Sequence, residues 1–262
     1  MGASGLATVA IATMLFGLWG LWVFGSAGPS PQPTVVVLRH GASLPEIASQ
    51  LEDQRVVSSA SIFVAAAQIS GAARHLKAGE YDFKAHASIA DVLSVIRSGK
   101  VVRHFVTIPE GRTSQQAVDT LMANTVLTGS APVPPEGAIL PETYEVQRGE
   151  DRAAVLQRMV AAHDRLLAQL WPKRKAGLPF KTMDEAVAMA SIVEKETALD
   201  DERPRVAAVY INRLVKGMRL QSDPTIIYGL TGGQPLGHGI RQSELYTITP
   251  YNTYLVAGLP PT

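Results

Sequence analysis

Residues 182–198 read TMDEAVAMASIVEKETA, and no other stretch says as much about the fold of this chain. Residues 186–193 carry no charge, so a helix over them is apolar around its whole circumference. Such a helix is predicted to be buried on all sides. It is the expected centre of an α+β domain over residues 105–262.

Glu194 comes in the turn that follows this apolar run. At 100° per residue it stacks over Val187, Ala190 and Ser191, whereas Glu196 points roughly the opposite way. No Lys or Arg stands three or four residues away from it. A carboxyl in apolar surroundings without a cation favours its protonated form, which suits a general acid. The spacing leaves open the alternative that Glu194 marks the point where a buried helix returns to solvent.

Two further features lie downstream. A helix is predicted over residues 205–214, with an apolar stripe of Val206, Val209, Tyr210 and Leu214. Asp223 precedes Pro224, which is the pattern of an N-cap with proline at the first helical position, and this favours a capping role over a catalytic one. Polar and aromatic groups amid apolar neighbours are typical of a sugar-binding groove. Those found here are Gln221, Tyr228, Asn252 and Tyr254.

The part of the chain before this domain, residues 34–104, predicts a small α+β module. Strands are expected over 34–38 and 78–83, and helices over 44–51, 59–70 and 89–96, the last ending at Gly99. Ser43 and Glu46 have the spacing of a capping box. No catalytic constellation is found there. Its histidines are interpreted as scattered surface or loop residues, namely His40, His75, His86 and His104.

The larger domain begins with residues 105–113, which are predicted to form a strand that runs into a turn. Thr113 or Ser114 then caps a helix that continues through Met122. Residues 133–144 are rich in proline and glycine but also contain Ile139 and Tyr144, which predicts an ordered loop able to carry binding groups. A helix over 151–170 follows, with one predicted apolar face of Val155, Met159, Ala162, Leu166 and Leu170.

The N-terminus predicts a membrane anchor. Residues 5–25 contain no charge and no proline, and at 1.5 Å per residue they span about 31 Å, enough to cross a bilayer core. A cleaved signal peptide is the alternative, although its basic n-region is missing here. We assign residues 1–28 to the anchor and the start of a linker, and residues 29–33 to a stiff proline-rich linker that holds the next domain off the bilayer.

Composition excludes several classes of function. The 262 residues carry a formal net charge of +1, which argues against a protein dominated by nucleic-acid phosphate contacts. There is no cysteine, so disulfides, thiolate zinc sites and a cysteine nucleophile are excluded. No histidine pair has metal-ligand spacing such as HExxH, and no stretch has the spacing of a phosphate-binding loop. Neither a metal nor an organic cofactor is predicted.

Several short blocks together resemble the endolytic murein transglycosylase family (MltG, YceG-like). They are IPEG at 108–111, LPETY at 140–144, ASIVEKET at 190–197, VYINRL at 209–214, MRLQSDPTIIY at 218–228, PYNTY at 250–254 and GLPP at 258–261. The resemblance implies a single-pass inner-membrane protein with a LysM-like module over 34–104 and a periplasmic catalytic domain over 105–262. The family usually continues for several residues beyond Thr262 and has a basic leader, so the resemblance also predicts a trimmed sequence.

The resemblance places the acid/base glutamate of the family at Glu194. The implied reaction cuts the β-1,4 bond between N-acetylmuramic acid and N-acetylglucosamine inside a nascent strand, forms a 1,6-anhydro end and terminates glycan polymerisation. Peptidoglycan strands are the implied partner, and peptidoglycan synthases are plausible ones. By analogy, Gln221, Asp223, Tyr228 and Asn252 shape the groove.

Two other functions are consistent with the same residues. One is a membrane-tethered peptidoglycan-binding module without catalysis. The other is a muramidase that uses water, which needs a second carboxylate across the groove from Glu194. Glu142 and Asp223 are the candidates for that carboxylate, and Glu142, like Tyr254, is assigned to the substrate groove.

Overall fold

The computed structural model describes residues 2–39, 41–74 and 76–261, with side chains from residue 8 onward. The chain divides into two compact units between His104 and Phe105. Each unit combines helices with a two-stranded sheet, so the predicted α+β class is confirmed.

The first unit follows the predicted order of elements. It contains helix α1 (Gly2–Gly25), strand β1 (Thr34–Leu38), helices α2 (Leu44–Asp53) and α3 (Ala60–Ile69), a 3-10 turn (Ala72–Arg74), strand β2 (Gly79–Phe83) and helix α4 (Ile89–Ser98). The two strands pair antiparallel, from Thr34 opposite Phe83 to Leu38 opposite Gly79. The predicted capping box of Ser43 and Glu46 begins α2, and Gly99 ends α4 in a left-handed conformation, as predicted.

The core of this unit is a single cluster of large apolar side chains from both strands and from α2, α3 and α4. Phe63, Tyr81 and Phe83 are among its fully buried members, and Tyr81 stacks on Phe83 with ring centroids 6.1 Å apart. Because α2, α3 and α4 each turn buried apolar residues toward this cluster, the unit encloses its core with local elements.

Helix α1 is long and apolar enough to cross a membrane over Thr8–Gly25. Most of its described leucine, phenylalanine and tryptophan side chains are exposed, whereas Val23 is buried in the core of the first unit and Phe24 packs against that core. The start of the linker that follows is hydrogen-bonded to the first unit. The Gly28 N–H donates to the His86 carbonyl, and the His86 N–H donates to the Ser30 carbonyl at 2.7 Å. These bonds hold residues 28–30 against the unit.

The histidine prediction holds for one residue and is wrong for another. His86 is exposed. His104 instead contacts Glu80, with 2.7 Å between Nε2 and Oε2, and the Glu80 side chain is only 6% exposed. A buried carboxyl needs a partner, which accounts for this contact. His40 and His75 lie outside the described residues.

The second unit is mostly helical. It contains strand β3 (His104–Thr107), helix α5 (Ser114–Ala123), strand β4 (Thr143–Val146), helix α6 (Arg152–Leu170), a 3-10 turn (Trp171–Lys173) and helices α7 (Met183–Glu196), α8 (Arg203–Val215), α9 (Asp223–Thr231) and α10 (Gln242–Leu245). Strand β3 pairs with β4, and the Ile108 N–H extends the pairing to the Glu142 carbonyl at 3.1 Å. Thr113 caps α5, as predicted.

Two separate apolar clusters support this unit. One joins β3, β4, α5 and α6 around Leu121 and Met159, and the other joins α7 to α8 around Ile192 and Tyr210. The predicted stripes extend beyond these small clusters. Val209 on α8 and Leu170 on α6 are about half exposed, at 51% and 52%. Helical periodicity gives the apolar face of a helix, but it does not give the length of that face that a neighbour covers.

Candidate active site

Helix α7 separates the second apolar cluster from an open cleft. Thr182 and Glu185 form a capping box at its start. Met189, Ile192 and Val193 are buried against the cluster, whereas Ala190 and Ser191 are exposed. The prediction that residues 186–193 are buried on all sides is therefore wrong. The small side chains on the face of α7 opposite the cluster form a wall of the cleft. Sequence periodicity does not distinguish such an open face from a face that is packed against another element.

The cleft has a volume of about 410 Å³. Its lining comes from the turn after β3, the loop that ends in LPETY, and helices α6, α7 and α9, together with Tyr251, Pro260 and Pro261. Three glutamates line it, namely Glu110, Glu136 and Glu194. This volume lies in the range of small-molecule sites, with mostly apolar walls and few polar groups.

Glu194 lies on the cleft face of α7, and its side chain is 29% exposed. Its Oε2 atom is 3.0 Å from Nη2 of Arg203, the first residue of α8. The same nitrogen lies 3.6 Å from Oε2 of Glu110, and Nη1 of Arg203 lies 2.9 Å from Oδ1 of Asp200. One guanidinium thus serves three carboxylates, two of which line the cleft.

This arrangement corrects the prediction that Glu194 has no cation. Arg203 stands nine residues later, beyond any helical spacing, and only the turn between α7 and α8 brings it close. The Arg203 side chain is one-third exposed, and its Nε atom is buried without a partner among the described residues. Glu196 points away from the cleft, as predicted, and accepts a hydrogen bond from the Ser222 hydroxyl at 3.1 Å.

Two glycines bring backbone close to α7 at this point. Gly111 has φ +69°, and a Cβ there would lie 3.5 Å from Cγ of Glu194 and 3.4 Å from Nζ of Lys195. Gly137 has φ +76°, and a Cβ there would come within 2.8 Å of Val187. Both positions need the left-handed conformation that glycine adopts without strain. The IPEG turn is therefore packed directly on the Glu194 turn of the helix.

Tyr228 is the other predicted site residue that lines the cleft. Its ring meets Tyr251 edge to face, with centroids 4.8 Å apart and planes at 71°. Burial, followed by the charge of Glu136, raises the pKa of Tyr228 to about 12. Glu136 itself accepts a hydrogen bond from the Ser114 N–H at 2.9 Å. This pair of tyrosines gives the cleft an aromatic wall.

Asp223 and Tyr254 contact each other outside the cleft lining. The Tyr254 hydroxyl donates to Oδ1 of Asp223 at 2.7 Å, and this bond is the largest cause that raises the pKa of Tyr254 to about 12. Ser222, not Asp223, is the N-cap of α9, so the predicted cap is displaced by one residue. Gln221 is exposed, has φ +54°, and donates its backbone N–H to the Thr253 carbonyl.

Asn252 has a structural role, which corrects its assignment to the groove surface. It is 1% exposed, and its Nδ2 atom donates to the carbonyls of Leu245 and Thr247. Its Oδ1 atom accepts from the Tyr254 N–H at 3.0 Å. These bonds use the whole side-chain amide, which fixes the PYNTY loop. The loop in turn carries Tyr251 to the cleft.

Glu142 is exposed at the start of β4, where it accepts a hydrogen bond from the Thr143 N–H at 3.1 Å. It does not line the cleft, and neither does Asp223. Glu110, by contrast, lines the cleft and shares Nη2 of Arg203 with Glu194. Its place in the IPEG block next to Gly111 was the available signal. The described residues contain no cluster of three or more His, Asp or Glu able to hold a metal ion.

His163 on α6 is a further residue that sequence reasoning missed. It lines the cleft, and its side chain is 15% exposed. Its Nδ1 atom lies 3.2 Å from Oδ1 of Asp164, and its Nε2 atom is buried without a partner among the described residues. No spacing in the sequence links this helix to the cleft.

Fold and site together define an α+β protein with a carboxylate–arginine cluster in the wall of a partly apolar cleft. The profile of the YceG-like family matches residues 36–262, and the chain belongs to that family. The resemblance carried by its short blocks is confirmed.

Curated relatives carry a more specific name. The endolytic murein transglycosylase of Streptococcus pneumoniae serotype 2 strain D39 is 28% identical over 280 residues, covering 88% of this chain and 50% of that protein. The protein of the same name from Bacillus subtilis strain 168 is 28% identical over 144 residues, covering 53% of this chain and 38% of that protein. The chain thus spans about half the length of the pneumococcal relative.

A solved structure is similar as well. The crystal structure of a YceG-like protein from Listeria monocytogenes matches with a TM-score of 0.51 and 28% identity, over 88% of this chain and 86% of that one.

Proposed function

We propose that this chain is an endolytic lytic transglycosylase of peptidoglycan. It cleaves the β-1,4 bond between N-acetylmuramic acid and N-acetylglucosamine within nascent strands, leaves a 1,6-anhydro end and so terminates glycan polymerisation. Membership of the YceG-like family and the names of the curated relatives support this function. The observation that carries it is the position of Glu194, on a cleft wall and in contact with Arg203.

Glu194 serves as both acid and base in the proposed reaction. As a carboxylic acid it gives its proton to the glycosidic oxygen while the bond from that oxygen to C1 of the muramoyl residue breaks. As a carboxylate it then accepts the proton of the muramoyl 6-hydroxyl, whose oxygen forms the new bond to C1. Atoms balance without water, and the glutamate ends the cycle protonated. One carboxyl group therefore suffices, whereas ordinary glycosidases use two.

Arg203 is proposed as a positioning residue. Its Nη2 atom contacts Glu194 and Glu110, and its Nη1 atom contacts Asp200, so the guanidinium is fixed from several sides. A charge-assisted contact of this kind limits the side-chain rotamers of Glu194. It also stabilises the carboxylate that forms after proton donation.

The walls of the cleft suit a glycan strand. Tyr228 and Tyr251 offer aromatic surface, and Ala190 and Ser191 leave room beside Glu194. Asp223, Tyr254 and Asn252 contribute at one remove, since they fix the segments that carry these tyrosines. Gln221 lies just before α9, the helix that carries Tyr228.

A hydrolytic muramidase is a second candidate, because of one specific observation. Glu110 and Glu194 contact the same nitrogen of Arg203, so a second carboxylate lies close to the first. A water molecule activated by Glu110 would give a reducing end in place of the anhydro ring. The two reactions differ in the mass of the product by one water.

The N-terminal part fits a protein that works at the membrane surface. We propose that α1 is a single-pass anchor in the inner membrane, that the first unit is a LysM-like module, and that the second unit lies in the periplasm. The length and apolar composition of α1 support the anchor, and the independent core of the first unit supports a separate module. Peptidoglycan synthases are the partners expected for a strand terminator.

Mass spectrometry of muropeptides released from purified sacculi tests the function. The wild-type chain is expected to release products that are lighter by one water than hydrolytic ones. Glu194→Gln is expected to lower the rate by about 10²- to 10⁴-fold, since it removes the general acid. Asp184→Asn is the matched control, because Asp184 is exposed in the first turn of the same helix.

The other outcomes are equally specific. Products with reducing ends, lost in Glu110→Gln as well as in Glu194→Gln, establish the muramidase and refute the transglycosylase. Sacculi that are bound but not cut by the wild-type chain establish a non-catalytic binding module. A full rate in Glu194→Gln refutes the assignment of the acid/base residue.

A further inference from the structure

Two cations line the cleft that contains Glu194. Arg112 and Lys195 both line the cleft, and both residues are exposed. A Cβ at Gly111 would lie 3.4 Å from Nζ of Lys195, and Arg112 is the next residue along the chain. The same point is 3.5 Å from Cγ of Glu194. Positive charge is thus presented beside the proposed acid/base group.

Neither cation is paired within the described residues, where no carboxylate comes within 4 Å of Arg112 or Lys195. The carboxylates of the cleft already have partners. Glu110 and Glu194 contact Arg203, and Glu136 accepts the Ser114 N–H. Within the described residues, Arg112 and Lys195 therefore remain available to an anionic ligand.

Helix stability does not account for Arg112. It immediately precedes Thr113, the N-cap of α5, where the positive end of the helix dipole disfavours a cation. Lys195 does lie in the last turn of α7, which favours a cation. That placement does not require its ammonium group to extend over Gly111 into the cleft. A binding role explains both positions.

We propose that Arg112 and Lys195 bind carboxylates of the peptide stems carried by muramic acid residues, so that the cleft selects peptide-bearing strands. The inference rests on the proposed function for its substrate class. The N-acetylated sugar backbone is uncharged, so it offers these cations no ionic partner. The stems attached to the lactyl arms carry free carboxylates. Arg112 suits a planar carboxylate, and Lys195 acts as a point charge.

Binding by the full chain in detergent tests the proposal separately from catalysis. The Glu194→Gln protein is titrated with fluorescent glycan strands that carry their peptide stems, and with the same strands after the carboxylates are converted to amides. We expect about tenfold tighter binding of the carboxylate form, a difference that shrinks as salt rises from about 0.05 M to about 0.5 M. Adding Arg112→Gln and Lys195→Gln is expected to bring the ratio close to one.

Lys216→Gln is the control, because Lys216 is exposed at the end of α8 and does not line the cleft. It is expected to keep the tenfold preference. Bare strands, which retain only the lactyl carboxylate, distinguish the source of the charge. If they bind as tightly as peptide-bearing strands, the assignment to the stems is overturned in favour of the lactyl group.

Failure of this inference is distinguishable from failure of the proposed function. Equal binding of the two peptide forms, together with anhydro products from the wild-type chain, overturns the inference alone. A preserved tenfold preference for the carboxylate form, together with reducing-end products or no products, overturns the transglycosylase. Arg112 and Lys195 then remain as the recognition site. A preference that survives loss of both cations also refutes the inference.

Discussion

The two units of this chain use apolar residues in different ways. In the first unit, Phe63, Tyr81 and Phe83 are buried in one cluster that the local strands and helices enclose. In the second unit the apolar residues are divided between two smaller clusters, and those of α7 also form a wall of an open cleft. Local patterns therefore predict the first unit well. In the second, the same patterns overestimate burial where the site lies.

The largest expected effect is on stability in the first unit. Phe63→Ala removes a fully buried ring and leaves a cavity, which costs about 3–5 kcal/mol. Hydrogen exchange of the β1 and β2 amides is expected to accelerate strongly. Ile69→Ala, at a side chain that is 88% exposed, is the control and is expected to change stability by less than about 0.5 kcal/mol. Equal exchange in the two variants would contradict the contrast between the units.

A smaller effect is expected at Arg203. Arg203→Met leaves Glu194 and Glu110 without their common cation, so both lose position and the rate of strand cleavage falls about 10- to 100-fold. Arg203→Lys is expected to recover part of this loss, because the charge returns without the planar fork. Arg205→Met, at an exposed position on the same helix, serves as control. Wild-type rates in Arg203→Met would remove its positioning role.

The cleft wall itself predicts a change in activity without a change in stability. Ala190→Leu adds bulk on the exposed face of α7, so unfolding is expected to shift by less than about 0.5 kcal/mol. The added side chain narrows the cleft beside Glu194, and cleavage is expected to fall about tenfold. Ala208→Leu on the exposed face of α8 provides the comparison. A clear loss of stability in Ala190→Leu would mean that this face is packed after all.

The smallest expected effect is in the titration of tyrosines. Tyr228 and Tyr254 have pKa values of about 12 in the folded chain, against about 10 in an unfolded one. The folded state therefore holds these protons longer, so their contribution to stability is complete below pH 10 and is lost as the pH rises through about 12. The change in tyrosine absorbance with alkaline pH measures these pKa values. Asp223→Asn is expected to lower the pKa of Tyr254 alone, because the acceptor of its hydroxyl loses its charge.

Secondary structure was largely predictable, because its signals are local. The capping box of Ser43 and Glu46, the cap at Thr113 and the end of α4 at Gly99 all depend on residues within one turn of each other. The displaced cap at Ser222 is different, because Ser222 is the N-cap by backbone position only and its hydroxyl donates to Glu196 instead of capping the helix.

Pairings across the site were not predictable, because the partners are far apart in sequence. Arg203 reaches Glu194 from the next helix, and Glu110 reaches the same nitrogen from the turn after β3. Asn252 is of a residue type common in sugar-binding grooves. It is buried, however, and its side chain makes three hydrogen bonds that fix the PYNTY loop. Residue type alone does not distinguish an amide that binds ligand from one that binds backbone.

The sequence by itself determined the α+β class, the apolar N-terminal helix, the family blocks and the face of α7 on which Glu194 stands. Each of these depends on the order of residues and on helical or strand periodicity, which act over a few residues. Only the tertiary structure decided that this face is open, that Arg203 is the cation of Glu194 and that Arg112 and Lys195 line the cleft without an ion-pair partner among the described residues. Burial and electrostatic partners depend on distances between segments, and the linear spacing of residues does not contain those distances.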